Sequence, residues 1–183
     1  VHFAKDMSNL KKIVITGAPS SGKTTLVNQL KHLGYYCFPE ISRHVTEQAQ
    51  LQGIEQMFLH DPYLFSEKLL EGRMQQYYEA KEFSGIVFLD RGIPDIEAYL
   101  HFTKQEVPEK FIKASQNHVY DAVFLLPPWE AIYQNDAQRY ETFAQAELID
   151  QHLKATYQKY GYQLHVVPPG TIHERVSYVL ERL

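Results

Sequence analysis

The sequence predicts an α/β three-layer sandwich built on a five-stranded parallel sheet, and three observations carry that expectation. Short segments that are apolar throughout alternate along the chain with stretches of helical periodicity. None of these segments alternates apolar with polar residues, so each suits a parallel strand covered on both faces. A glycine-rich run joins the first of them to the first helix. Strands that alternate with helices in this way place helices on both sides of one sheet through right-handed crossovers.

Taken in order, Ile13, Val14 and Ile15 form the first strand. A helix over residues 24–33 follows and stops at Gly34, a suitable C-terminal cap. Residues 35–39 are a weaker second strand. Ile86, Val87, Phe88 and Leu89 form the third and end at Asp90; residues 122–126 form the fourth and end at Pro127. Phe143, Ala146, Ile149, Leu153, Tyr157 and Tyr160 make a helical stripe that Gly161 terminates. Residues 163–167 are a weak fifth strand. The last helix opens on the capping box Thr171-Ile172-His173-Glu174 and carries the core stripe Ile172, Val176, Val179, Leu180, Leu183.

The chain has 183 residues, a formal net charge of −4 and one cysteine, Cys37. Residues 11–183 are expected to form one domain; residues 1–10 hold an N-terminal leader or expression remnant, with Met7 a candidate natural start. No basic patch argues for nucleic acid. No apolar run approaches the ~20 residues that span a bilayer. A lone cysteine suits a reducing compartment, and the expected location is the cytoplasm. Oligomeric state is left open.

Gly17-Ala18-Pro19-Ser20-Ser21-Gly22-Lys23-Thr24 matches G-x-x-x-x-G-K-[ST], with a strand before it and a helix after it. That context makes it a P-loop. The glycines let successive N–H groups point at phosphate oxygens, and the helix start adds its dipole and unpaired donors. Lys23 is expected on the β- and γ-phosphates of ATP and the Thr24 hydroxyl on Mg²⁺; Thr25 completes the nucleotide-binding run. A turn that binds nothing would not need Lys and Thr together.

Asp90 follows the apolar third strand, the place of a carboxylate that holds Mg²⁺ through water or orients the attacking group. The alternative is a cap on the helix starting near Pro94, although Asp95 is available for that. Arg91 suits a phosphate or carboxylate of the acceptor, with a surface salt bridge as the alternative. Glu40 follows the second strand and, were that strand beside the first, would sit at the same sheet edge as a candidate base for an acceptor hydroxyl. Charge complementarity at a helix start explains it equally well. Arg43, one turn on, faces the same way.

Phe58, Tyr63, Phe65, Tyr77 and Tyr78 lie with Arg73, Gln75 and Gln76 in an aromatic-rich stretch. Such residues can sandwich and read a planar ring, but more often they are core. Arg139, with Asp136 as its positioner, is the candidate for an arginine that closes over the γ-phosphate, against the alternative of a solvated loop arginine.

Together these residues resemble a family of small P-loop proteins described as AAA-type ATPases, related to nucleoside and nucleotide kinases and ribosylnicotinamide kinase domains. The resemblance rests on residues 17–25, on Phe38-Pro39-Glu40 with Arg43, and on Asp90-Arg91-Gly92-Ile93-Pro94-Asp95. It continues through Leu125-Leu126-Pro127-Pro128-Trp129-Glu130, the segment around Arg139, Gly161-Tyr162, Val167-Pro168 and Glu174-Arg175. It implies a nucleotide-kinase-like fold, with Glu40 as base and Arg91 as acceptor clamp.

The expected function is a Mg²⁺-dependent ATP phosphotransferase acting on a small hydroxylated acceptor, nucleoside- or nucleotide-like. The alternative is an ATPase or nucleotide-dependent switch that acts on a protein partner. A GTPase lacks its Asn-Lys-x-Asp motif here, a transporter ATPase its Leu-Ser-Gly-Gly-Gln signature, and a zinc hydrolase its His-Glu-x-x-His spacing.

Overall fold

A computed structural model describes residues 9–133 and 141–183. The strands are β1 (Lys11–Gly17), β2 (Tyr36–Phe38), β3 (Ile86–Asp90), β4 (Ala122–Leu126) and β5 (Leu164–Val166). The helices are α1 (Lys23–His32), α2 (Ile41–Leu51), α3 (Met57–His60), α4 (Pro62–Glu79), α5 (Pro94–Phe102), α6 (Glu109–Asn117), α7 (Phe143–Lys159) and α8 (Ile172–Leu180). All strand pairs are parallel, and the five-stranded sheet runs β2-β3-β1-β4-β5. The expected fold class is the observed one.

Side-chain alternation in the strands builds the layers. Val14, Val87, Leu89, Val123 and Leu125 pack under α5 and α7 with Ala98, Ile149, Leu153 and Tyr157. Ile13, Ile15, Phe88, Phe124 and Leu126 pack on the other face with Leu26, Val27 and Leu30 of α1 and Val176 and Val179 of α8. Each fully buried aliphatic side chain contributes about 1.5–3 kcal/mol. A third cluster joins α2, α4, α5 and α6 through Val45, Ala49, Leu69, Ile96 and Phe111. It packs the helices between β2 and β3 against α5 and α6.

The helix signals act locally. Thr171 and Glu174 form the expected capping box, and Thr142 with Gln145 forms a second at the start of α7. Asp61 accepts from the Leu64 N–H at the start of α4, where Pro62 occupies the first position. All three caps supply acceptors for N–H groups that a helix start leaves unpaired, and Pro62 has no N–H to satisfy.

One premise is corrected. β2 does not lie beside β1; β3 separates them. The chain leaves β1 through α1, skips a position to reach the sheet edge, and returns through α2 to α4 to fill the gap. Glu40 still arrives at the same end of the sheet. Phe38 is level with Leu89, so the residues just after β2 run beside Asp90 and Arg91.

Candidate active site

The P-loop turns out of the end of β1, between β3 and β4. Gly17 is level with Leu126, and a Cβ there would strike the Leu126 carbonyl. Gly22 is the N-cap of α1 with φ 76°, a conformation that only glycine adopts without strain. Ser20 also has a positive φ, 62°. Lys23 is buried, whereas Thr24 and Thr25 are exposed at the first turn of α1. Unpaired N–H groups at such a helix start, together with its dipole, form an anion site.

Beside the loop the ends of three strands converge on one charged cluster. Lys23 Nζ lies 2.5 Å from Asp90 Oδ1 and 3.4 Å from Glu40 Oε2. Glu40 Oε1 accepts from Arg91 Nε at 2.6 Å and from Ser42 Oγ at 2.7 Å. Arg91 Nη1 donates to the Gly17 carbonyl at 3.0 Å and to Asp95 Oδ1 at 3.2 Å. Arg43 is exposed, 3.6 Å from Glu40, and its Nη2 donates to Thr24 Oγ1 at 3.4 Å. Lys23, Glu40, Arg43, Asp90 and Arg91, chosen separately from the sequence, are therefore neighbours. Arg91 is buried rather than part of a surface salt bridge. Asp90 ends β3 and pairs with Lys23, while Ile93 occupies the N-cap of α5.

The electrostatics follow from burial and pairing. Burial would push the Glu40 carboxyl upward, but the charges of Arg91 and Lys23 outweigh it and hold it well below the usual carboxylate range. Burial likewise works against the Arg91 charge, yet Tyr99, Glu40, Asp95 and Asp90 keep it raised. The Tyr99 ring lies 5.5 Å from the Arg91 guanidinium, and burial raises its hydroxyl to about 12.

Arg91 has φ 74°, a left-handed conformation that costs a non-glycine residue about 1–2 kcal/mol. Asp95 holds it there. Its carboxylate is fully buried and accepts from Thr16 Oγ1 at 2.5 Å, Tyr157 OH at 2.5 Å and the Gly92 N–H at 3.1 Å, besides Arg91. The sequence offered Asp95 only as a helix-start residue. Its bond to the Gly92 N–H ties the turn ahead of α5, and the contact with Arg91 makes it a support of the site.

Two residues of α4 tie down the same loops. Arg73 Nη1 donates to the Gly92 carbonyl at 3.0 Å, and Gln76 Nε2 to the Pro39 carbonyl at 2.7 Å. The neighbouring aromatics mostly pack as core: Tyr63 and Phe65 against the α2–α4–α6 cluster, Tyr77 against the sheet-side cluster. Tyr78 is about half exposed. A groove of about 540 Å³ between α2 and α4 is lined by Pro39 and Ile41, the chain neighbours of Glu40, and by Gln76. Arg139 and Asp136 lie outside the described residues.

Among the described residues no group of three or more His, Cys, Asp or Glu side chains is arranged to hold a metal ion alone. The oxygens of Thr24 and Asp90 are hard donors beside the anion site. They fit Mg²⁺, which is bound through few protein oxygens, waters and phosphates rather than by an all-protein cage. No helix among the described residues is long and apolar enough to cross a membrane.

Fold and loop define the class: a P-loop protein with the architecture of nucleotide kinases. An AAA domain family model matches residues 12–175, and the chain belongs to that family. Among curated proteins no sequence matches it. A deoxyadenosine kinase from M. mycoides, solved with dCMP and dCDP, superposes with a TM-score of 0.68 at 18% identity, covering 93% of this chain and 97% of that one. Thymidylate kinase from Candida albicans gives 0.69 at 17%, covering 95% and 91%. The NadR protein in complex with NAD and AMP-PNP gives 0.68 at 18%, covering 96% of this chain and 50% of NadR. At these identities the likeness is one of fold.

Proposed function

We propose that this protein is a small-molecule kinase that transfers the γ-phosphoryl group of ATP to a hydroxyl of a nucleoside- or nucleotide-like acceptor. The observation that carries the reading is Glu40, a buried carboxylate 3.4 Å from Lys23 and bonded to Arg91. Holding ATP alone requires Lys23, Thr24 and Asp90. A second carboxylate backed by its own arginine suits an acceptor.

Catalysis is then positioning and charge neutralisation. Residues 17–25 cradle the phosphates, and Lys23 turns from its two carboxylates to the β- and γ-phosphates. Thr24 and Asp90 would hold Mg²⁺, which would supply neutralisation of the charge on the phosphoryl oxygens. Glu40, released from Lys23 but still gripped by Arg91, becomes more basic and orients the acceptor hydroxyl. As the bond from that oxygen to phosphorus forms, its proton passes to Glu40. The bond from phosphorus to the bridging oxygen breaks, and ADP leaves with the electron pair. Arg91 and Arg43 bind the acceptor. The α2–α4 groove beside Glu40 offers apolar walls and the Gln76 amide for a planar ring.

The deciding experiment incubates the chain with ATP and Mg²⁺, alone and with nucleosides, nucleoside monophosphates and nicotinamide riboside, following products by mass spectrometry. A kinase gives an acceptor one phosphoryl heavier and ADP in equal amount, abolished by EDTA. ADP formation indifferent to every acceptor would overturn the reading in favour of an ATPase or switch.

A further inference from the structure

On the other flank of the P-loop lies a cation that the site described above does not use. Arg175, in the first turns of α8, is only 4% exposed. Its Nη2 donates to the Ser21 carbonyl at 2.8 Å. A Cβ placed on Gly22 would fall 2.5 Å from its Nη1, so the guanidinium rests directly on the N-cap of α1. Trp129 completes the arrangement: its backbone N–H donates to the Ser20 carbonyl at 2.8 Å, and its ring lies 5.8 Å from the guanidinium.

Among the described residues Arg175 makes no ion pair, and its buried Nε has no hydrogen-bond partner. This is unusual for a buried guanidinium, because an uncompensated buried charge is expensive. Lys23 and Arg91 illustrate the usual solution, since each has carboxylates within 3.4 Å. Burial pulls the Arg175 pKa down with nothing opposing it. The site it touches is the one built for a polyanion. We propose that Arg175 is a positioning residue of the triphosphate site, braced against the P-loop backbone, whose buried charge is compensated by the phosphates of the bound nucleotide.

The inference rests on the nucleotide-binding part of the proposed function and makes a demand of its own. The electrostatic gain must grow with phosphate charge, and the nucleotide-free protein must not depend on Arg175 for stability. Arg175→Met keeps the length and apolar stem of the side chain but removes the charge.

The experiment measures Kd for ATP, ADP and AMP by calorimetry, with melting of the nucleotide-free chain. Arg175→Met is expected to weaken ATP about ten-fold, ADP less, and AMP within about two-fold. Its nucleotide-free Tm should equal or exceed that of the wild type, because an unpaired buried charge has gone. Arg175→Lys, which keeps the charge without the fork, should retain the wild-type preference for ATP over AMP within about three-fold.

Equal losses for ATP and AMP, or unchanged affinities with a lower nucleotide-free Tm, would reduce Arg175 to a packing residue and overturn the inference. If the Met variant does not fold, a Lys variant that loses the preference for ATP overturns it equally. Failure of the wild type to bind ATP would overturn the nucleotide reading as well, so the two failures are distinct.

Discussion

The two flanks of the P-loop handle charge in opposite ways. Toward β3, Lys23, Glu40, Asp90, Arg91 and Asp95 form a closed network in which each cation faces at least two carboxylates. Toward α8, Arg175 stands against the same loop with a carbonyl and an indole ring for company. With Arg43 at its edge the first flank sets three cations against three carboxylates before any ligand arrives, so in the proposed function binding would exchange partners, phosphate taking Lys23 from Asp90 and Glu40. The second flank is unbalanced until an anion arrives. A site of this kind gains specificity from the exchange and affinity from the imbalance.

The strongest way to break the comparison is to remove the residue that must change partners. Lys23→Ala is expected to lower turnover by about 10³-fold, because the transferred phosphoryl loses its principal cation. It also strands Asp90 and removes one of the cations facing Glu40, so the nucleotide-free Tm should fall. Steady-state kinetics and thermal melts check both. Normal turnover in this variant would mean that the network on the β3 flank is not a phosphate site.

Next in size is Glu40→Gln, which keeps shape and removes the proton acceptor. Transfer to the acceptor should drop about 10²-fold while the Kd for ATP stays within about three-fold. If transfer survives, Glu40 is only a counter-ion for Arg91. Asp95→Asn tests the layer beneath. It leaves Arg91, Thr16 and Tyr157 sharing a neutral amide, and the expected cost is about 3 kcal/mol in a urea melt. Any remaining activity should show a raised KM for the acceptor, since Arg91 loses its anchor. Unchanged stability would remove Asp95 from the supporting role.

Much of the β3 flank was legible in the sequence because its chemistry sits at strand ends. Gly17 to Thr25 is a contiguous motif, and Asp90 and Arg91 follow an apolar strand at once. Glu40 follows from the sequence only on the premise that β2 lies beside β1; β3 separates them, and Glu40 reaches the site because the register of β2 with β3 sets its level. The supports were not legible. Asp95 draws its partners from β1, the β3–α5 loop and α7, and Tyr157 lies 62 residues away along the chain. Arg73 and Gln76 sit amid aromatics, and nothing local says that the guanidinium reaches the Gly92 carbonyl and the amide the Pro39 carbonyl. Arg175 is 154 residues from the carbonyl it holds. Periodicity places it in a helix but gives no hint of what that helix leans on. Long-range side-chain contacts leave no spacing signal.

Acid sharpens the contrast at the smallest scale. Glu40 titrates below its ordinary range in the folded chain, with the Arg91 and Lys23 charges overcoming burial. A carboxylate depressed on folding adds stability that is fully present above its unfolded pKa and drains away as pH falls through the folded one. Stability should therefore hold from neutral pH to about pH 4.3 and decline below it, with a share from Glu40 of about 1–2 kcal/mol. Glu40→Gln has no such proton to take up, so its urea-melt profile should be flatter than that of the wild type below that pH. Arg175→Met should leave the slope unchanged, because no carboxylate among the described residues pairs with that guanidinium. Parallel acid profiles for the wild type and Glu40→Gln would mean that Glu40 is not held ionised by its neighbours. The balanced flank would then be no more balanced than the other.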